Sequence, residues 1–330
     1  MNDGCVQVVA AVDLPEVAER HGLRAAAEIN VFDGFSATDP AGAALVRAKV
    51  AELRQLIRDR SPEREAADDE IVDRLYGPSP SLQAWRKLVP SARALEPLYR
   101  PDGNLPDGTE IEPVGRRFFV HSLDSRAVRS RGAVAQWLLQ EQARGHDAQR
   151  WVSLACGAAR PVCDAARAAI DDGTDVEIAV LDWDPDALRM AVEAADDAEV
   201  DDVLRCHLAN VLKPDAVHAV VAPRSASVVE CLGFFEYLPT VAPAGSQSGS
   251  DFLRLAASLL EPGGALIYAN MLATHPELDF TMHAARWPLI IPRSIEQILE
   301  VADDAGLDRE STTLWLPDSG VTAIVSTTVP

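Results

Sequence analysis

From Trp151 onward the chain alternates short apolar runs with amphipathic segments, and this alternation constrains its fold more than any other feature of the sequence. WVSLA leads into PVCDAARAAI, VEIAVLD into PDALRMAVEAA, VLRCHLA towards SVVECLGFF and DFLRLAASLL, and GALIYANM towards SIEQILEVADDAG, before STTLWL and VTAIVSTTV. Apolar runs this short, separated by helices, read as parallel strands buried on both faces. The predicted architecture is α/β and doubly wound, with a mostly parallel seven-stranded sheet. Only LPDSG separates the last two runs, too little for a parallel crossover, so they are expected to form an antiparallel C-terminal hairpin at or near the sheet edge.

The first hundred residues read differently. From Asp13 to about Tyr99 the pattern is helical, and AALVRAKVAELRQLIRDR sets Leu45, Val50, Leu53 and Ile57 on one apolar stripe. RPDGNLPDGTEIEP, from about 100 to 113, breaks the pattern and reads as a linker. The expected division is therefore 1–113, a helical accessory region that shapes a substrate pocket or supports a homodimer, and 114–330, the α/β domain with its core from about 150. Within HSLDSRAVRSRGAVAQWLLQEQARG a helix is expected, capped by Ser125 or Asp124 and ended by Gly145. The acidic run at 61–70 and the small-residue run at 242–250 read as exposed loops or helix ends.

Charge excludes some functions. The 330 residues hold 30 Lys+Arg against 51 Asp+Glu, a net −21, of which −18 falls in 151–330 (10 against 28) and −3 in 1–150 (20 against 23). Such a field repels polyanions, so no nucleic-acid partner is expected. No apolar stretch reaches the roughly 20 residues of a membrane span, and the N-terminal residues do not resemble a signal peptide; a cytoplasmic protein without membrane association is expected. The five cysteines are scattered and the seven histidines unclustered, so neither a disulfide framework nor a metal site is expected.

In an open parallel sheet, ligands bind beyond the carboxyl ends of the strands. The first such loop, SLACGAARP, carries Gly157, which lets backbone N–H groups approach a ligand closely. The second strand ends in Asp182, 25 positions later, where a carboxylate can accept both hydroxyls of a ribose. Asp184 and Pro185 beside it fit a helix start, as N-cap and first turn.

SLACGAAR, VLDWDPDAL, HLANVL, VVECLGFFEYL and LLEPGGALIYANM, in this order and spacing, resemble the successive motifs of the class I S-adenosylmethionine-dependent methyltransferases, bacterial small-molecule members among them. The resemblance covers about 150 to 330 and implies a Rossmann-like domain with S-adenosyl-L-methionine as cofactor. It places Ala155, Cys156 and Gly157 beside the methionine part, Asp182 on the ribose, Trp183 along the adenine, and Asn210 and Val211 at the adenine's polar edge. Glu230, Cys231 and Gly233 would run under the sulfonium. The family usually has an acid where Ser153 stands and glycines where Ala155 and Ala159 stand, so the group that organises the cofactor's amino end has no assignment from sequence.

The acceptor side has weaker signals. Methyl transfer needs an acceptor held in line with the sulfonium methyl and a route for its proton. Candidates are Glu236, Tyr237 and His275 as catalytic groups, and Arg126, Asp279 and Trp287 as substrate contacts; Arg129 and Arg131 share the basic run of Arg126. The implied activity is methyl transfer to a nitrogen or oxygen of a small molecule in specialised metabolism, with an amine or amino acid favoured by the acidic strand-end residues. A non-catalytic S-adenosylmethionine-binding regulator or scaffold and a nicotinamide-dependent oxidoreductase are the alternatives.

Overall fold

The computed structural model describes residues 5–59 and 66–330, so the first half of the acidic run at 61–70 lies outside the described residues and its second half begins the helix Ala66–Tyr76. Its strands are β1 (Val6–Asp13), β2 (Ala25–Asp33), β3 (Ala148–Leu154), β4 (Asp175–Asp182), β5 (Leu204–Leu208), β6 (Ala226–Cys231), β7 (Leu260–Met271), β8 (Thr312–Pro317) and β9 (Thr322–Thr328). They form one sheet of nine in the order β1-β2-β8-β9-β7-β6-β3-β4-β5. The seven expected runs are β3 to β9. β3, β4, β5, β6 and β7 run parallel, and β9 returns antiparallel to both β7 and β8.

Two expectations are corrected. The sheet has nine strands rather than seven, because the N-terminal region is not wholly helical: β2 pairs parallel with β8, from Ala25 opposite Thr313 to Ile29 opposite Pro317, and β1 lies antiparallel to β2. The C-terminal hairpin consequently lies inside the sheet, with β2 covering the edge of β8. Alanine-rich β2 has helical propensity, but its backbone groups satisfy those of β8, and Ala26, Ala27 and Ile29 bury their side chains in doing so.

Apolar clusters cover both faces of the sheet. One holds Val229, Phe235, Phe252, Leu266 and Ile298; the other holds Trp151, Ile178, Val180, Val134 and Leu138. A third cluster packs N-terminal helical residues Leu53, Trp85, Leu98 and Phe119 against Phe280 and Ala284, which follow β7. The accessory helices thus close over a segment of the α/β unit.

The helix Leu123–Ala143 joins these parts. Its N-cap is Ser122, whose hydroxyl accepts from the Ser125 N–H at 3.3 Å, rather than Ser125 or Asp124. Asp124 stands in the first turn instead, with its carboxylate engaged by distant residues. Buried Arg129 donates to Asp33 at the end of β2 and to the carbonyls of Leu98, Phe119 and Val120. No helix among the described residues is long and apolar enough to cross a membrane.

Candidate functional site

Strand β3 runs into a tight loop and then the helix Arg160–Asp171. Three residues of this loop have left-handed backbone: Ala155 (φ 53°), Gly157 (φ 55°) and Ala159 (φ 51°). Glycine takes that conformation freely, whereas alanine does so at a cost of roughly 1–2 kcal/mol. The loop keeps its tight turns with alanine at two of the three positions. It is held from both sides: Gly157 N–H donates to the Asp182 carboxylate at 3.0 Å, and Cys156 N–H donates to the Leu181 carbonyl at 3.3 Å.

Asp182, at the tip of β4, is buried, and its second carboxylate oxygen accepts from Asp184 N–H at 3.0 Å. Burial raises its pKa, and the backbone donors at Asp184 and Gly157 pull the other way. A carboxylate offers about four lone-pair positions, so with two in use it can still accept from a pair of hydroxyls. Trp183, 77% exposed, presents its indole beside it. Asp184 caps the helix Pro185–Asp197 by accepting from Asp186 N–H at 2.9 Å, as the sequence implies. Asn210 uses its side-chain oxygen to accept from Leu212 N–H at 2.9 Å, a local turn that leaves the amide NH2 available.

These strand ends surround a cavity of about 740 Å³, lined by every residue expected at the cofactor except Cys231. The size falls in the range of small-molecule sites, roughly 300–1,000 Å³. The Cys231 side chain is instead fully buried in the apolar cluster with Phe235 and Tyr268. The opposite wall comes from the accessory region: Ala92, Leu95, Glu96 and Tyr99 line the cavity, and Glu96 is clamped to Arg160 at 2.6 Å.

Ser153, where the resemblance implies an acid, faces one on the neighbouring strand. Ser153 on β3 lies opposite Glu230 on β6 in the parallel register, and its hydroxyl donates to the Glu230 carboxylate. Glu230 is 4% exposed and lines the cavity. Burial pushes its pKa up to about 7, against the opposing effects of the Ser153 hydroxyl and the Arg131 charge.

The acceptor candidates divide. Tyr237 and Trp287 line the large cavity and are joined by a 2.5 Å hydrogen bond from the indole N–H to the phenol oxygen. Burial pushes the Tyr237 hydroxyl up to about 12. Glu236 is buried beside them, accepting from Met271 N–H at 3.1 Å and lying 3.6 Å from Arg131; burial raises its pKa too. His275 lines no cavity described here. It sits behind Asp124, 2.8 Å from one of the Asp124 oxygens.

Asp279 and Arg126 are not brought to the site. Asp279 accepts from Arg54 at 2.6 Å, which binds the accessory helix Pro40–Asp59 to the segment after β7. Arg126 borders a separate cavity of about 340 Å³ with Arg47, His121 and Glu277. Helical phase explains the latter: on one helix, Arg126 and Arg131 are five residues apart and face different ways, and only Arg131 lines the large cavity. Arg129, in the same basic run, is consumed by its bonds to Asp33 and three carbonyls.

No protein-family model and no curated protein sequence matches the chain. Solved structures do resemble it. A "possible exported protein" from Bordetella parapertussis shares 18% identity over 89% of this chain and 98% of its own, with a TM-score of 0.60. This is a likeness of fold across nearly the whole molecule. A geranyl diphosphate C-methyltransferase from Streptomyces coelicolor A3(2) aligns over 64% of this chain and 83% of its own at 12% identity and TM-score 0.46. A methyltransferase from Geobacter sulfurreducens in complex with S-adenosyl-L-homocysteine aligns over 59% and 89% at 12% identity and TM-score 0.40.

Proposed function

We propose that the large cavity binds S-adenosyl-L-methionine and that the protein transfers its methyl group to a nitrogen or oxygen of a small molecule. The observation that carries this reading is the placement of Asp182 and Glu230, at the ends of the two strands that flank β3, on either side of the Gly157 loop in one cavity. The residues present fit the cofactor. Asp182 has lone pairs to spare for a ribose diol, Trp183 offers an open indole face for a purine, and the free NH2 of Asn210 meets a base edge. Glu230, one strand away from Ser153, would hold the amino group. When bound, the cofactor supplies an electrophilic methyl on a sulfonium. The chain positions the reactants and excludes water, with Tyr237 and Trp287 at the boundary between cofactor and acceptor.

Calorimetric titration with S-adenosylhomocysteine, with NAD and NADP in parallel, tests the reading. Saturable binding of the sulfur nucleoside alone is expected; binding of a nicotinamide dinucleotide instead, or of none of the three, would overturn it. Binding without methylation of any small-molecule acceptor would favour a regulator or scaffold.

The site also has a pH signature. An ammonium is held best by ionised Glu230, so affinity for S-adenosylhomocysteine should rise as pH passes from 6 to 8 through the pKa of about 7. Without ligand the sign for stability is the reverse. The folded-state pKa lies above the usual 4.5, so the protein gains stability from neutral Glu230 below pH 4.5 and loses it as pH rises through about 7. Glu230→Gln should flatten both profiles, and an unchanged slope in either measurement would reassign the titrating group.

A further inference from the structure

A second cavity, of about 70 Å³, adjoins the first and shares Leu95, Arg131, Gly233, Tyr237 and Trp287 with it as a common wall. Most of its lining is apolar, with Trp85, Phe118, Met271 and Ile290 contributing, and its charged groups are Asp124, Arg131 and Glu236. Arg131 and Glu236 face each other at 3.6 Å, so their charges offset. Asp124 has no such compensation.

The partners of Asp124 are neutral. Glu277 N–H donates to Nδ1 of His275 at 2.9 Å, so that nitrogen carries no proton and Nε2 does. Nε2–H then donates to one Asp124 oxygen at 2.8 Å, and the Thr281 hydroxyl donates to the other at 2.8 Å. Among the described residues no lysine or arginine forms an ion pair with Asp124, and 25% of its side chain remains uncovered. A carboxylate fixed by two neutral donors in a mostly apolar wall is a costly arrangement unless a ligand cation completes it. The aromatic rings of Trp85, Phe118 and Trp287 along the same wall also favour a cation.

We propose that this cavity is the acceptor site, and that it takes a compact aliphatic amine whose ammonium is held by Asp124; the nitrogen gives one proton to the Asp124 carboxylate, and its freed lone pair bonds to the sulfonium methyl as S-adenosylhomocysteine leaves. The assignment of the cavity as an acceptor site rests on the methyl-transfer reading above; the preference for an amine rests on the cavity itself. Its volume of about 70 Å³ would hold roughly five waters, or a group of about five heavy atoms. Neither Glu236, paired with Arg131, nor Asp279, paired with Arg54, is the acid that selects the amine. His275 is a positioning residue that orients the Asp124 carboxylate.

Isobutylamine, isobutanol and isobutyrate share one small carbon skeleton and differ in charge, which makes them suitable probes. Their dissociation constants would be measured by ligand-observed NMR on the full chain, with and without saturating S-adenosylhomocysteine. The amine should bind at least about tenfold more tightly than the alcohol, and isobutyrate more weakly than either. In Asp124→Asn the amine should fall to within about threefold of the alcohol, while binding of the alcohol and of S-adenosylhomocysteine stays unchanged. Equal binding of amine and alcohol to the unaltered protein would overturn the proposal without recourse to any variant. So would undetectable amine binding, or an Asp124→Asn variant that keeps the preference. If the amine binds through Asp124 and S-adenosylhomocysteine does not bind at all, the amine site stands and the methyl-transfer reading falls.

Discussion

Asp182→Ala should weaken S-adenosylhomocysteine binding roughly 10- to 100-fold, because truncating one partner of a charged hydrogen-bond pair costs on the order of 1.5 to 3 kcal/mol. The expected effect has two sources, one in the proposed ligand contact and one in the loop. The alanine variant loses the acceptor for the ribose hydroxyls, and it also releases the Gly157 and Asp184 N–H groups that the carboxylate holds at 3.0 Å each. Asp182→Asn separates the two, since its single amide oxygen can keep one of those N–H bonds while the charge is lost. Calorimetry on both variants, with circular dichroism to establish that they are folded, gives the measurement. A folded Asp182→Ala variant with unchanged affinity would remove Asp182 from the ribose and with it the main support for the cofactor assignment.

Arg129→Met should destabilise the fold by about 3–5 kcal/mol, the usual cost of leaving a buried charge without its partner. Arg129 is 2% exposed and Asp33 8%. Its Nε and one terminal nitrogen donate to the Asp33 carboxylate at 3.0 and 2.8 Å, and its remaining N–H groups go to the carbonyls of Leu98, Phe119 and Val120. One guanidinium thereby joins the end of β2, the helices Ala92–Tyr99 and Pro113–His121, and the helix Leu123–Ala143. Urea denaturation of the single variant and of Arg129→Met with Asp33→Leu checks the cause. The double variant should recover part of the loss, because it also removes the stranded carboxylate; a single variant as stable as the parent would show that the pair is dispensable.

The strands from β3 onward were legible as apolar runs set between helices, and β6, buried at every position, is the plainest case, whereas β5 at the sheet edge is buried mainly at Leu204. The N-terminal strands were not. AAAEINVFD becomes β2 only because β8, nearly a whole chain away, offers it a pairing edge, and no local pattern reports that edge. The same holds at the site. Gly157, Asp182 and Asp184 lie in two adjacent motifs whose spacing predicts that they meet, and the structure brings them together. Glu230 was placed near the sulfonium from its motif, but its relation to Ser153 is a matter of strand register across 77 positions. Asp124 read as a candidate helix cap because the residues that fix its carboxylate, His275 and Thr281, are 151 and 157 positions away.

The pairing of β2 with β8 also sets the order in which the chain can mature on the ribosome. Ala25 meets Thr313, so the N-terminal hairpin is made first and finds its place in the sheet last. At a synthesis rate of roughly 5–20 residues per second, that interval is on the order of 15 to 60 seconds. Throughout it β1 and β2, with Val9, Val12 and Ile29 among their residues, have no sheet to join. The nascent chain in this window is where a chaperone would act and where aggregation would begin.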